Sequence, residues 1–254
     1  MKNLAVNNWS LLLAFALVLV SLVISWKEKL GLTKDTLYSV ARAIIQLVIV
    51  GYLLKAIFKV DNLFLTIAMT LVIIFNAAWN AYQRDPNPHR KFWQAFVAQF
   101  IGTYLTLSTL LVTGAIKMVP SQVITITGMI AGNEMVAIGL AFKAMHDAFH
   151  DQRQQVLEKL ALGASPKLAS MEIIRRSLKT AMQPTIDSAK TVGMVSLPGM
   201  MSGLIFAGVD PVYAIKYQIM VTFMLLAATG IGSVIMVHLA YLNYYNDQMQ
   251  LILE

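Results

Sequence analysis

Seven stretches of this chain hold close to 20 successive residues with few charges, long enough for an α-helix to cross the hydrocarbon core of a bilayer. They are Trp9–Trp26, Ser39–Phe58, Leu63–Tyr82, Ala95–Ile116, Gln122–Phe142, Ser188–Ala207 and Tyr213–Tyr241. In lipid every backbone N–H and C=O must be bonded internally, so such a chain folds as helices packed side by side. Composition agrees: only 13% of the 254 residues are charged, against about 25% in soluble domains. The reading is an all-α polytopic membrane bundle of about seven transmembrane helices, one domain over residues 1–254. The first stretch carries Trp9 and Trp26 as interfacial anchors, is preceded by Lys2 and lacks a small-x-small cleavage site. It therefore reads as a mature helix rather than a signal peptide.

Seven spans put the termini on opposite sides, and the basic residues choose which. With the N-terminus outside, the inner loops hold 14 Lys and Arg and the outer side 5, with Lys2 among the outer ones. That asymmetry predicts N-terminus out and C-terminus in the cytoplasm. The net charge of +7 is then a property of cytoplasmic loops rather than a nucleic-acid surface. There is no cysteine, which removes thiolate metal sites, disulfides and a Cys nucleophile.

One connection is long. Residues 143–187 are polar, and Phe142, Met145, Phe149, Val156 and Leu160 recur at helical spacing, so the fifth span is expected to continue into the cytoplasm as an amphipathic helix. Gly163 is a stop; Ser165 and Pro166 offer an N-cap and first-turn proline for a second helix, expected to run to about Met182 before Pro184. A cytoplasmic helix–turn–helix thus separates spans five and six.

The chain has no GxxxxGK[ST] loop to cradle a nucleotide phosphate, and no HExxH or GxSxG motif. What remains is intramembrane polarity. Asn133 and Glu134 lie within span five, where ionisable groups are costly and mark functional sites by default. Arg42 of span two, about one turn from the cytoplasmic end against about two for Glu134, is the natural partner, and Gln46 lies one turn beyond it. The pair is either a substrate or gating site or a clamp between two helices. Pro198 should kink or unwind span six at mid-membrane, exposing carbonyls that must line something polar. Gly199/Gly203 and Gly128/Gly132 form small-xxx-small faces, more often helix packing than function. Met194, Met200, Met201, Met220 and Met224 cluster in spans six and seven; thioethers can ligate soft metals, though core filling is the commoner role. Asp187 could attract cations or, more ordinarily, complement a helix dipole in a first turn. His146 and His150 share a helical face beside Asp147 and Asp151, a spacing that can chelate a metal but without an evident third ligand.

Four segments, RAIIQLVIVGYLLKAIF, GMIAGNEMVAIGLAF, EKLALGASPKLA and above all TVGMVSLPGMMSGLIFAGVDPVYAIKYQ, together resemble the FetB-like permeases. These are membrane subunits of bacterial iron-export ABC transporters, related to the aluminium-sensitive transport proteins of plants. The resemblance covers nearly the whole chain. It implies a multi-pass homodimer in the bacterial inner membrane, exporting metal ions, iron first. A separate cytoplasmic ABC ATPase would supply ATP and Mg chemistry, this chain binding no cofactor itself. Glu158, Gly163, Ala164 and Ser165, with Arg175 and Arg176, then correspond to the region coupling the permease to its ATPase. The importer-type pattern is departed from, the Glu-to-Gly spacing being one residue short. Asn133, Glu134, Arg42, Gln46, Asp187, Pro198, Met194, Met200 and Met201 are the expected pathway or gating residues. The rival expectation is an ATP-independent channel or secondary transporter in which Glu134 is the ion site.

Overall fold

The computed structural model describes residues 7–60 and 62–252; Lys2, counted on the outer side above, lies outside the described residues. The apolar runs become α1 (Asn8–Ala14), α2 (Ala16–Lys27), α3 (Thr33–Val60), α4 (Leu63–Gln83), α5 (Phe92–Val112) and α6 (Pro120–Asp151). They are followed by α7 (Arg153–Ala161), α8 (Pro166–Ala169), α9 (Met171–Thr191), α10 (Gly199–Phe206), α11 (Pro211–Ala240) and a 3₁₀ turn, Tyr241–Tyr244. Among the described residues β-pairing is confined to two isolated bridges, Val192 with Ser196 and Tyr245 with Leu251. The protein is a multi-span helical membrane protein.

The helix ends follow from local chemistry. Asn62 caps α4 by accepting from the N–H groups of Phe64 (2.8 Å) and Leu65 (3.3 Å). Asp210 does the same for Val212 (2.8 Å) at the start of α11. Pro120 and Pro211 occupy first-turn positions of α6 and α11, where a missing N–H costs nothing. The expected continuation of span five beyond Phe142 is present: α6 runs 32 residues, about 48 Å at 1.5 Å per residue. Gly163 ends the next helix with φ +87°, and Ser165 caps α8 through the Leu168 N–H (3.4 Å).

Two expectations are corrected. The helix after the turn does not stop at Met182; α9 continues through Pro184 to Thr191. One lost backbone bond is tolerated because Ile173, Ile174, Ser177 and Ala181 are buried along its length. Nor is span six a continuous helix. Among the described residues six helices are long and apolar enough to cross a membrane, and 188–207 is not one of them. The chain leaves helix at Val192, turns at Gly193 (φ +88°) and resumes at Gly199 behind Pro198. The Pro198 ring and the Gly193 turn together turn the expected kink into a full break.

The bundle is organised around α6, which packs against α4, α5, α9 and α11. Lipid is as apolar as Leu, so helix association rests on close packing and internal hydrogen bonds. The contacts accordingly use small residues: Ala77, Ala78 and Ala81 of α4, Ala95 and Ala98 of α5, and Ala131, Ala137 and Ala141 of α6 are buried. Two apolar clusters result. One joins Ile138, Phe142, Met145 and Phe149 of α6 to Ile173 and Ile174 of α9 and Met236 and Val237 of α11. The other joins Ile126 and Ile130 of α6 to Leu107, Leu110, Val221 and Met224. Between them the same three helices carry buried polar residues: Gln99, Thr103 and Thr106 of α5, Glu134 of α6, Thr229 and Ser233 of α11. In contrast, α2 and α3 stand at the edge, with only Ser25 and Ile57 buried.

Candidate functional site

Glu134 is fully buried in the polar layer, and its partners come from α5. Its Oε2 accepts from Thr103 Oγ1 (2.9 Å) and Gln99 Nε2 (3.0 Å), and the same Gln99 nitrogen donates to the Ala131 carbonyl (3.0 Å). Its Oε1 is buried without a hydrogen-bond partner, wedged between the backbones of Gly102 on α5 and Gly232 on α11. A methyl group at either glycine would overlap that oxygen. Glycine is therefore required at both places because the carboxyl fills the space a side chain would take. Glu134 thus holds three helices at one level.

The expected Arg42–Glu134 pair is not formed. Among the described residues the ion pairs are Lys159–Glu172 (3.5 Å) and Lys190–Asp187 (3.3 Å). Arg42 and Gln46 are exposed on α3, whose contact with α6 is slight. A carboxyl between neutral donors satisfies one oxygen without recruiting a distant cation, and that is the arrangement found.

A second polar feature lies at the break. A cavity of about 150 Å³ opens between α6, α9 and α11, lined by Asn133, Thr185, Ser188, Val192, Pro198, Gln218 and Thr222 with apolar neighbours. A more open neighbour of about 210 Å³ adjoins it at the break, and its lining includes Val192, Gly193, Leu197, Met201, Gln218 and Thr222. Val192, Gln218 and Thr222 belong to both, so the two cavities flank the broken segment and share a wall. No carboxylate or cation lines either. Asn133 Nδ2 donates to the Met129 carbonyl (2.9 Å) and Thr222 Oγ1 to the Gln218 carbonyl (2.9 Å). The space can hold a metal ion with water still attached, since one water needs only about 10–15 Å³.

The remaining expected residues scatter. Met201 lines the second cavity, Met200 and Met220 pack on the Ile126 cluster with Met224 inside it, and Met194 is exposed on the break. Asp187 is not in a first turn; with α9 running through it, it lies near that helix's C-terminus, holding Gln183 (2.9 Å) and Lys190 (3.3 Å). Among the described residues nothing lies within 4 Å of where a Cβ would sit at Gly128, Gly132, Gly199 or Gly203, whereas at Gly102, Gly139 and Gly232 a Cβ would clash. His146 and His150 lie with ring centres 4.5 Å apart and planes tilted by 54°, but among the described residues no group of three His, Asp or Glu side chains is placed to hold a metal. The pair lacks the third ligand.

At the other end of α6, Glu158 is exposed on α7, and Gly163, Ala164 and Ser165 make the turn between α7 and α8, with Ala164 half-buried. Leu162 on that turn is 89% exposed and Leu168 63%, while Arg175 and Arg176 are exposed on α9. Ser170 and Tyr245 share a buried hydrogen bond (2.6 Å) that ties the α8–α9 junction to the chain after α11.

Gln99, Gly102, Thr103, Gln218, Thr222 and Gly232 did not stand out in the sequence. The signal was there: Gln99, Thr103 and Thr106, and Gln218, Thr222, Thr229 and Ser233, recur at helical spacing inside apolar runs, which marks one polar face.

Residues 8–245 match the uncharacterised protein family UPF0014. The "Probable iron export permease protein FetB" of Escherichia coli is 54% identical over 99% of this chain and 97% of its own length. The "UPF0014 membrane protein YjkA" of Bacillus subtilis is 35% identical over 95% and 97% respectively. The plant "Protein ALUMINUM SENSITIVE 3" of Arabidopsis thaliana is 33% identical over 94% and 87%. No solved structure matches. This chain belongs to the UPF0014 family.

Proposed function

We propose that this UPF0014 member is the membrane subunit of an ABC-type metal exporter, moving iron out of the bacterial cytoplasm across the inner membrane. Its energy comes from a separate ATPase. The observation that carries the reading is the broken helix: a polar, uncharged cavity opens beside Pro198 in a chain 54% identical to a relative named as an iron export permease. Irregular backbone at membrane depth is tolerated only where protein or a water-filled cavity surrounds it.

Cargo enters from the cytoplasm, reaches the cavity bordered by Asn133 and Pro198, and leaves outward past Met201 when the dimer switches. Glu134 acts on this route from one remove, as the clamp that keeps α5, α6 and α11 in register beside the cavity. Arg42, Gln46 and Asp187 stand away from it, and neither His146 nor His150 takes part. The α7–α8 turn with its exposed Leu162 and Leu168, and the basic pair Arg175 and Arg176, docks the ATPase, which brings ATP and Mg. Closure of that ATPase reaches the cavity along α9, which leads from the turn to Val192. The open glycine faces on α6 and α10 suit close contact with a second copy. The Lys and Arg asymmetry of the loops supports this arrangement, since the orientation it favours would put the docking turn inside.

The test is uptake by inside-out vesicles containing this chain and its ATPase, across Fe²⁺, Mn²⁺, Co²⁺ and Zn²⁺, with ATP. ATP-dependent accumulation led by iron is expected. Accumulation unaffected by omitting ATP or the ATPase would replace this reading with a channel or secondary transporter.

A further inference from the structure

We propose that Gln218 of α11 is a direct ligand of the transported cation, in a site made of neutral oxygens. The inference rests on the permease reading above and names the site within it.

Gln218 and Thr222 lie one turn apart and border both cavities, so whatever passes the break meets them from either side. Among the described residues the Gln218 oxygen is buried and unpartnered, an expensive state for an amide in a bilayer. Amide oxygen and nitrogen exchange places by a half-turn of χ3, so the oxygen can face the cavity without breaking a bond. Two of the donors around it are committed to backbone carbonyls. Asn133 gives one amide proton to the Met129 backbone carbonyl (2.9 Å) and Thr222 its hydroxyl proton to the Gln218 backbone carbonyl (2.9 Å). Thr222 keeps its hydroxyl lone pairs and Asn133 its amide oxygen as acceptors. With the Gln218 oxygen they give the cavity three neutral oxygen acceptors, a set that suits a cation.

The lining carries no charge, and that sets the kind of binding. Oxygen donors suit hard and borderline divalent ions. Without a carboxylate the ion keeps part of its water shell and is held weakly. A transport site needs that balance: binding strong enough to admit the ion and weak enough to release it. Met201, lining only the second cavity, offers a softer ligand on the far side of the break.

Two variants of nearly the same size push the site in opposite directions. Gln218→Glu adds a charge and should lower the apparent KM for Fe²⁺ by about tenfold while slowing maximal uptake; Gln218→Leu removes the donor and should raise KM by about tenfold. Purified protein in nanodiscs, titrated with Mn²⁺ and followed by electron paramagnetic resonance, should rank affinity Gln218→Glu above wild type above Gln218→Leu. If wild-type vesicles export iron but both variants keep the wild-type KM and Mn²⁺ affinity, Gln218 is not a ligand and the permease reading stands. If wild-type vesicles move no metal with the ATPase and ATP present, both fall together.

Discussion

Replacing Gly232 by alanine places one methyl group where the Glu134 carboxyl now sits. The added carbon would overlap Oε1 and lie 2.7 Å from both Cγ and Cδ of Glu134. Something must move, and neither neighbour is free. The glycine is fixed in the middle of α11, and the carboxyl is held to α5 by Thr103 and Gln99. Overpacking of this kind costs about 1–3 kcal/mol. If Glu134 withdraws instead, it loses two hydrogen bonds, each worth about 0.6 kcal/mol inside a membrane and up to about 1.7. Either way the expected loss is about 1–3 kcal/mol. The diagnosis lies in the double variant. With Glu134→Ala in the background the space is vacant, and Gly232→Ala should then cost next to nothing, a coupling of about 1–3 kcal/mol. Reversible unfolding in mixed micelles by graded SDS, followed by tryptophan fluorescence, measures all four corners of the cycle. Gly232→Ala without effect, or penalties that simply add, would refute the wedge.

Three further outcomes are expected. Arg42→Gln and Glu134→Gln should be additive in the same unfolding assay, since the two residues do not meet; a rescue of one by the other would restore the ion pair. Asp85, in the turn after α4, is buried and its carboxyl is pushed up to about 6, chiefly by burial, against the Asn87 N–H bond and the Arg90 charge that lower it. A folded-state value above the unfolded one favours folding below about pH 4, and that benefit fades as pH rises through about 6. Stability should therefore fall by up to about 3 kcal/mol between those limits through this group, and Asp85→Asn, which keeps an acceptor for Asn87, should flatten the pH profile. Finally, Gly163→Pro, or charge reversal at Arg175 and Arg176, should leave the bundle folded but cut metal-stimulated ATP hydrolysis by the assembled transporter; normal stimulation would move the docking surface to the loop after Tyr82.

How far the sequence carried the account depended on the range of each signal. Helix ends were legible because they are local: Pro166 behind Ser165 and the stop at Gly163 need only their neighbours. The long α6 was legible because Phe142, Met145 and Phe149 kept one period across the membrane boundary. Pro184 misled because its tolerance depends on Ile173, Ile174 and Ala181 packing elsewhere on α9, a tertiary fact. The partner of Glu134 was missed for a related reason. Charge attracts attention to charge, so Arg42 was paired with it, while the real partners were an amide and a hydroxyl on α5 and two glycines whose meaning is the absence of a side chain. Pro198 pointed to the right place, but the cavity there is finished by Gln218 and Thr222 of α11, which look ordinary until the helices are assembled.

The absence of cysteine makes the central claim, that cargo passes beside the break, open to one direct measurement. Thr222→Cys puts a single thiol in the wall shared by both cavities. Vesicles carrying that variant and its ATPase are treated with a small membrane-impermeant thiol reagent, and ATP-driven Fe²⁺ uptake is recorded before and after. The account predicts that labelling blocks uptake, that Fe²⁺ present during treatment slows labelling, and that the cysteine-free parent is unaffected. A variant fully labelled at position 222 that still moves iron at its unlabelled rate would contradict it.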